Sequence, residues 1–191
     1  LSPRAAVRLA VEGAVRPIDL IEATTPTRRR TTVEAVSMGF LAEARCHYHA
    51  DNSAHVASAL AAGIYALATF HPVHARIDLG DSTIELELTQ LFVANLPLYG
   101  FGLHVAPEAD PTDELLDLVA VDARSRIAIP ALIGRLRRTN GPVGPDVHHW
   151  RARSARIESL EHSHVVADSF DLGCGSLDVR VLPKDLRIVR P

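Results

Sequence analysis

Between Val105 and Val119 the chain reads VAPEADPTDELLDLV. It gathers Glu108, Asp110, Asp113 and Glu114 at a turn, with Asp117 just beyond and no basic residue among them. Carboxylates this close repel unless a positive charge sits among them or water screens them. Two chemistries answer that description: a solvated acidic loop, or a site for a hard cation. Asp110 and Asp113 are three apart in a segment that Pro107 and Pro111 hold rigid. Two carboxylates and a nearby backbone carbonyl suit Mg²⁺. On spacing alone the solvated loop is the better account.

Other chemistry-bearing residues offer less. His47/His49 and His162/His164 are i, i+2 pairs and His148/His149 are adjacent. No Cys-x-x-Cys or His-Glu-x-x-His accompanies them, so scattered, partly exposed histidines are expected rather than zinc. The chain holds no Gly-x-Ser-x-Gly elbow and no P-loop, and Lys184 is its only lysine. Gly100 and Gly102 flank Phe101 and read as a bulge or close backbone approach. Arg28, Arg29 and Arg30 read as a solvated turn.

The elements that must position these residues are short and mostly extended. SPRAAVRLAVEG has a capping Ser2, Pro3 at the first helical position and Gly13 at the stop; Val7, Ala10, Val11 and Ala14 share one face. RPIDLIEA reads as a strand, and residues 32–44 as a strand meeting Gly39. A helix is expected over about 53–69 from Val56, Leu60, Ile64 and Leu67. VHARIDL and TIELEL alternate about a Gly80-Asp81 turn and predict a hairpin. LFVAN and LLDLVAV read as buried strands, and Pro130 opens a helix, PALIGRLRR. VHHWRARSARIES, HSHVVADSF, LDVRVL and DLRIVRP follow as successive short strands. The pattern predicts one α+β domain over 1–191, mainly antiparallel β, a two-layer sandwich with two or three helices.

Composition sets the frame. The 191 residues are 47% apolar, enough for a sizeable core, and carry a net charge of −3. That charge gives no general attraction to nucleic acid, and no nucleic-acid partner is expected. Cys46 and Cys174 are expected as free, mostly buried thiols. No apolar run reaches the ~18 residues of a membrane span. The chain opens on Leu1 and its only methionine is Met38, so it is expected to be part of a longer protein.

The string VANLPLYGFGLHVAPEADPTDELLDLVAV resembles the hallmark segment of the diacylglycerol kinase and sphingosine kinase superfamily. That segment runs Asn, Tyr-Gly-Gly-Gly, Pro-x-Ala, then Asp-Asp-Gly-x-Leu-Asp. The matches are Asn95, Tyr99, Gly100, Gly102, Pro107, Ala109, Asp113, Leu116 and Asp117. AVRLAVEGAVRPIDLIEA resembles the stretch joining the two domains of such kinases, and EAVSMGFLAEA their next strand. VVADSFDLGCGSLDVRVLPKDLRIVRP resembles their closing segment. The resemblance covers nearly the whole chain and implies the second half of such a kinase. The Gly-Gly-Asp-Gly-Thr nucleotide loop of the first half does not occur here.

The resemblance implies roles. Asp110, Asp113 and the backbone carbonyl of Leu115 would hold Mg²⁺. Asp168 would be the general base that takes a proton from a lipid hydroxyl, diacylglycerol-like or sphingoid, as that oxygen attacks the γ-phosphate of ATP. ATP would be bound mainly by the absent N-terminal nucleotide-binding domain. A cytoplasmic protein in peripheral contact with the membrane is implied, and a homodimer is possible. Phe40, Leu98 and Phe101 are candidates to line the lipid cleft. The alternative is a catalytically degenerate lipid- or protein-binding domain, which the change of Asp-Gly-Glu to Asp168-Ser169-Phe170 would mark; the glycine after Asp113 is Glu114 and one glycine of Tyr-Gly-Gly-Gly is Phe101. For Asp168 itself the competing role is a turn residue between two strands.

Overall fold

The computed structural model describes residues 2–47, 56–100, 102–122, 128–159 and 163–190. The order is α1 (Pro3–Glu12), β1 (Ala14–Thr24), β2 (Arg29–Thr32), β3 (Ala35–Gly39), α2 (Phe40–His47), α3 (Val56–Thr69), β4 (Val73–Asp78) and β5 (Thr83–Leu88). Then come β6 (Gln90–Ala94), β7 (Leu98–Tyr99), β8 (Leu103–His104), β9 (Leu116–Val121) and α4 (Ile129–Leu136). The chain closes with β10 (Val147–Ala152), β11 (Ser154–Ser159), β12 (His164–Ala167), β13 (Phe170–Cys174) and β14 (Leu177–Arg190).

Two six-stranded antiparallel sheets form, in the orders β2-β1-β14-β11-β4-β5 and β10-β9-β6-β3-β12-β13. Period-2 patterning explains their packing. In β4, Val73, Ala75 and Ile77 are buried while His74 and Arg76 face water, as expected for a sheet wetted on one side. β3, β6 and β9 are buried at every position, because the second sheet is covered on both faces. Leu91 and Val93 of β6 join Ile21, Ile77 and Val179 between the sheets. Phe92 and Ala94 face the other way, onto Leu132 and Leu136 of α4 and onto Tyr99 and Val105. Each large apolar side chain buried this way contributes about 1.5–3 kcal/mol.

Several elements depart from the expected pattern: four helices are described where two or three were expected, Arg29 and Arg30 lie in β2, VHHWRARSARIES divides into β10 and β11 of different sheets, and HSHVVADSF into β12 and β13. EAVSMGFLAEA is a strand and then a helix. Gly39 turns the chain at φ +104°, where a Cβ would lie 2.5 Å from the Thr89 carbonyl oxygen. The Gln90 side-chain oxygen then accepts the Leu41 N–H at 2.8 Å, capping the first turn of α2. LDVRVL and DLRIVR are one strand, β14, which continues through Pro183. The apolar face of α1 is exposed, Val7 at 65% and Val11 at 80%. The side chains of Val56 and Leu60 lie outside the described ones, and Ile64 of the same helix is exposed.

Candidate functional site

The acidic turn is held from below by a carboxylate the sequence reading passed over. Asp19 lies mid-strand in β1, fully buried, where the β1–β14 register shifts between Ile18 and Leu20. Its Oδ2 accepts the Glu114 N–H and its Oδ1 the Lys184 N–H, both at 2.8 Å. Its own N–H donates to the Pro111 carbonyl at 2.7 Å. The signal was an acid inside the apolar run of RPIDLIEA. A buried carboxylate there needs donors, and the backbone supplies them at two tight turns. Glu114 (φ 62°) and Lys184 (φ 55°) both take left-handed backbone, the region glycine adopts most freely.

Positive charge reaches the turn from the far end of the chain. Asp113 Oδ2 pairs with Arg151, and its Oδ1 accepts the Leu115 N–H at 2.9 Å. Glu114 pairs with Arg153 at 2.9 Å and Lys184 at 3.3 Å, and these two cations hold its carboxyl below the usual range. Asp110 Oδ1 accepts the N–H and hydroxyl of Thr112 at 3.0 and 2.7 Å. Buried Asp117 meets His149 Nε2 at 2.7 Å, with Arg151 Nε at 3.6 Å. The hydrogen bond to Asp117 raises the His149 pKa, and the charges of Asp117 and Glu108 add to the shift against its partial burial. The donor chemistry of Asp110, Asp113 and the Leu115 carbonyl suits a hard divalent ion, with Arg151 already on the Asp113 oxygen such an ion would use.

Asp168 sits at the β12–β13 turn with φ 50°. Its Oδ1 accepts the Glu34 and Ala35 N–H groups at 3.0 and 3.2 Å, and its Oδ2 accepts the Val33 N–H at 3.2 Å. Its own N–H donates to the Ala35 carbonyl. It therefore clamps the turn that leads into β3. Close by, on the outer face of the second sheet, the buried Tyr99 hydroxyl is 3.0 Å from Ser37 Oγ. Burial raises the Tyr99 pKa, the charges of Asp168 and Glu34 push the same way, and the Ser37 bond and Arg45 oppose them. Arg45 of α2 donates to the Ser169 carbonyl at 3.2 Å.

Asn95 joins the two regions. Its Nδ2 donates to the Asp19 carbonyl at 2.8 Å and the Val33 carbonyl at 3.1 Å, and its N–H donates to the Glu34 carbonyl at 2.9 Å. One hydrogen-bonded frame thus runs from the acidic turn through Asp19 and Asn95 to the segment clamped by Asp168. Of the three residues expected to line the lipid cleft, Phe40 and Leu98 are described. Phe40 is in a separate core, edge-on to Phe70 at 5.8 Å. Leu98 is exposed, and Phe101 lies outside the described residues, as do His49 and His162. A depression of about 270 Å³ flanks the acidic turn, lined by Pro107, Glu108, Asn140, Pro142 and His149 among others.

Neither cysteine forms a disulfide. Burial, with the carboxylates of Asp171 and Glu43, pushes the Cys46 thiol up to about 12.

The architecture matches solved structures at low sequence identity. A crystal structure of a diacylglycerol kinase from Bacillus anthracis superposes with a TM-score of 0.69 at 18% identity, covering 97% of this chain and 58% of that one. A second, of a putative diacylglycerol kinase from the same organism, gives 0.70 at 17% identity over 97% of this chain and 60% of that one. The chain thus spans about three-fifths of the length of these relatives. No curated protein matches it. Residues 34–190 match the family described as the YegS C-terminal NAD kinase beta sandwich-like domain, and the chain belongs to that family.

Proposed function

We propose that this chain is the lipid-acceptor half of an ATP-dependent lipid kinase acting on a diacylglycerol-like or sphingoid alcohol. The observation that carries the reading is the frame through Asn95, which ties the Asp168 turn and the acidic turn to one rigid support. Asp168 would take the proton of the lipid hydroxyl, because an alcohol attacks phosphorus poorly until that proton leaves. Tyr99 and Ser37 would orient the hydroxyl beside it. Mg²⁺, held by Asp110, Asp113 and the Leu115 carbonyl in competition with Arg151, would order the acidic turn. ATP and the loop that binds it belong to a nucleotide-binding domain, for which the exposed Val7 and Val11 of α1 offer an apolar docking face. The same face suits a homodimer. Peripheral membrane contact follows from the acceptor being a lipid; among the described residues no helix is long and apolar enough to cross a membrane.

A second reading has its own observation. Three amides already occupy the Asp168 carboxylate and a guanidinium occupies Asp113, as in a domain that keeps the fold for binding without turnover. Asp168→Asn in the full-length parent separates the two, with ATP-dependent phosphorylation of lipid alcohols in micelles as the assay. As a base, Asp168 should cost about 10²- to 10⁴-fold in rate on substitution. A rate unchanged beyond the loss of folded protein, measured by thermal melting, leaves Asp168 as a clamp alone. For the cation, Mg²⁺ should raise the thermal midpoint of the wild type and leave that of Asp113→Ala where it was. A wild type indifferent to Mg²⁺ and to chelator removes the ion from the reading.

A further inference from the structure

Away from the acidic turn, three unlike donors converge from three elements. Cys46 is in the last turn of α2, His164 opens β12 and Asp171 lies in β13. One ligand atom from each, thiol sulfur, imidazole nitrogen and carboxylate oxygen, lies within 4.8 Å of the other two. His164 Nδ1 is 3.4 Å from Asp171 Oδ1. Cys174 is directly opposite His164 in the β12–β13 register, so its side chain emerges on the same face as the imidazole. The surroundings are built. Glu43 Oε1 accepts the His164 N–H at 3.0 Å, and Asp171 Oδ1 accepts the Gly173 N–H at 2.8 Å. Both hold ligand-bearing backbone in place.

We propose that Cys46, His164 and Asp171, with Cys174 as the fourth donor, form a binding site for a borderline-soft divalent ion of the Zn²⁺ class. Sulfur, nitrogen and carboxylate oxygen converging from three residues, with a second thiol on the facing strand position to complete four, is a zinc donor set and suits Mg²⁺ or Ca²⁺ poorly. Ligands around a tetrahedral zinc sit on the order of 3.5 Å apart. The side chains therefore close in by roughly 1 Å, within rotamer adjustment of a partly exposed group. The ion would staple the end of α2 to the β12–β13 hairpin. That is the hairpin whose turn carries Asp168, and Arg45, next to Cys46, already holds the Ser169 carbonyl. The site is independent of the kinase reading and of the acidic turn.

The test uses the purified chain, stripped with chelator and titrated with Zn²⁺ against a chromophoric competitor. It is then loaded with Co²⁺ for absorption spectroscopy. The expected result is one Zn²⁺ per chain, a raised thermal midpoint, and a Co²⁺ spectrum with thiolate-to-metal charge transfer and intense tetrahedral d–d bands. Cys46→Ser and His164→Gln should each weaken Zn²⁺ by at least about tenfold, and Cys46→Ser should abolish most of the charge-transfer band. Absence of a thiolate band in the wild type overturns the site, and needs no variant to fold. So does Zn²⁺ binding that survives both substitutions, or a Cys46–Cys174 disulfide that persists in protein purified under reducing conditions.

Discussion

His149 shows what one side chain contributes here. It bonds to Asp117, which is almost wholly buried and so depends on its partners. The folded-state pKa of His149 is raised by that bond. Stability from the pair is therefore fully present below the unfolded value of about 6.5 and is lost as pH rises through the folded value. The thermal midpoint of the wild type should exceed that of His149→Gln most at mildly acidic pH, with the gap narrowing above neutrality. A gap flat across that range would show that folding leaves the proton affinity of the ring unchanged. At this scale the sequence was half legible. Asp110 and Asp113 stand out in it by type and spacing, and Asp168 through the resemblance of its segment to the kinase closing segment. Their partners do not, because Arg151 is 38 residues from Asp113, Arg153 is 39 from Glu114, and Lys184 is 70 from Glu114. Asp19 was hidden for the opposite reason: its neighbours in the chain are those of an ordinary strand, and only burial gives it its role.

At the scale of elements, the passage from β3 into α2 rests on Gly39. Any Cβ there meets the Thr89 carbonyl oxygen at 2.5 Å, and the backbone sits at φ +104°. Gly39→Ala should cost more than ~1 kcal/mol from the backbone conformation alone, with the overlap adding to it. Urea unfolding should show the lowered midpoint, and a stability equal to the wild type would mean the turn relaxes at no cost. The helix itself was not legible: VSMGFLAEA is a short, mostly apolar run in which strand and helix periods overlap, and the cap comes from Gln90 across the sheet. The hairpin of β4 and β5 was legible because its alternation and its Gly80-Asp81 turn are both local. β14 read as two strands because Pro183 interrupts it. The proline is tolerated at the register shift opposite Asp19, where the ladder is already broken.

For the molecule as a whole, the two-layer α+β sandwich follows from alternation in one sheet and continuous apolar strands in the other. Both are patterns of composition along a strand, and both survive in a single sequence. The order of the twelve strands across the two sheets is set by pairings between distant segments, such as β1 with β14 and β3 with β12, which no local pattern encodes. Those pairings also bring the candidate site together. β1 carries Asp19, β14 carries Lys184, and the β12–β13 turn carries Asp168.

The long pairing of β1 with β14 has a mechanical consequence. Beyond Asp19 the ladder from Ala14↔Arg190 to Ile18↔Leu186 has no third strand among the described residues, and Val15, Leu186 and Val189 are exposed. A two-stranded ribbon in water is marginal by itself. These rungs can come apart and re-form while the sandwich stays shut, with the buried Asp19 carboxylate as the stop at which the unzipping halts.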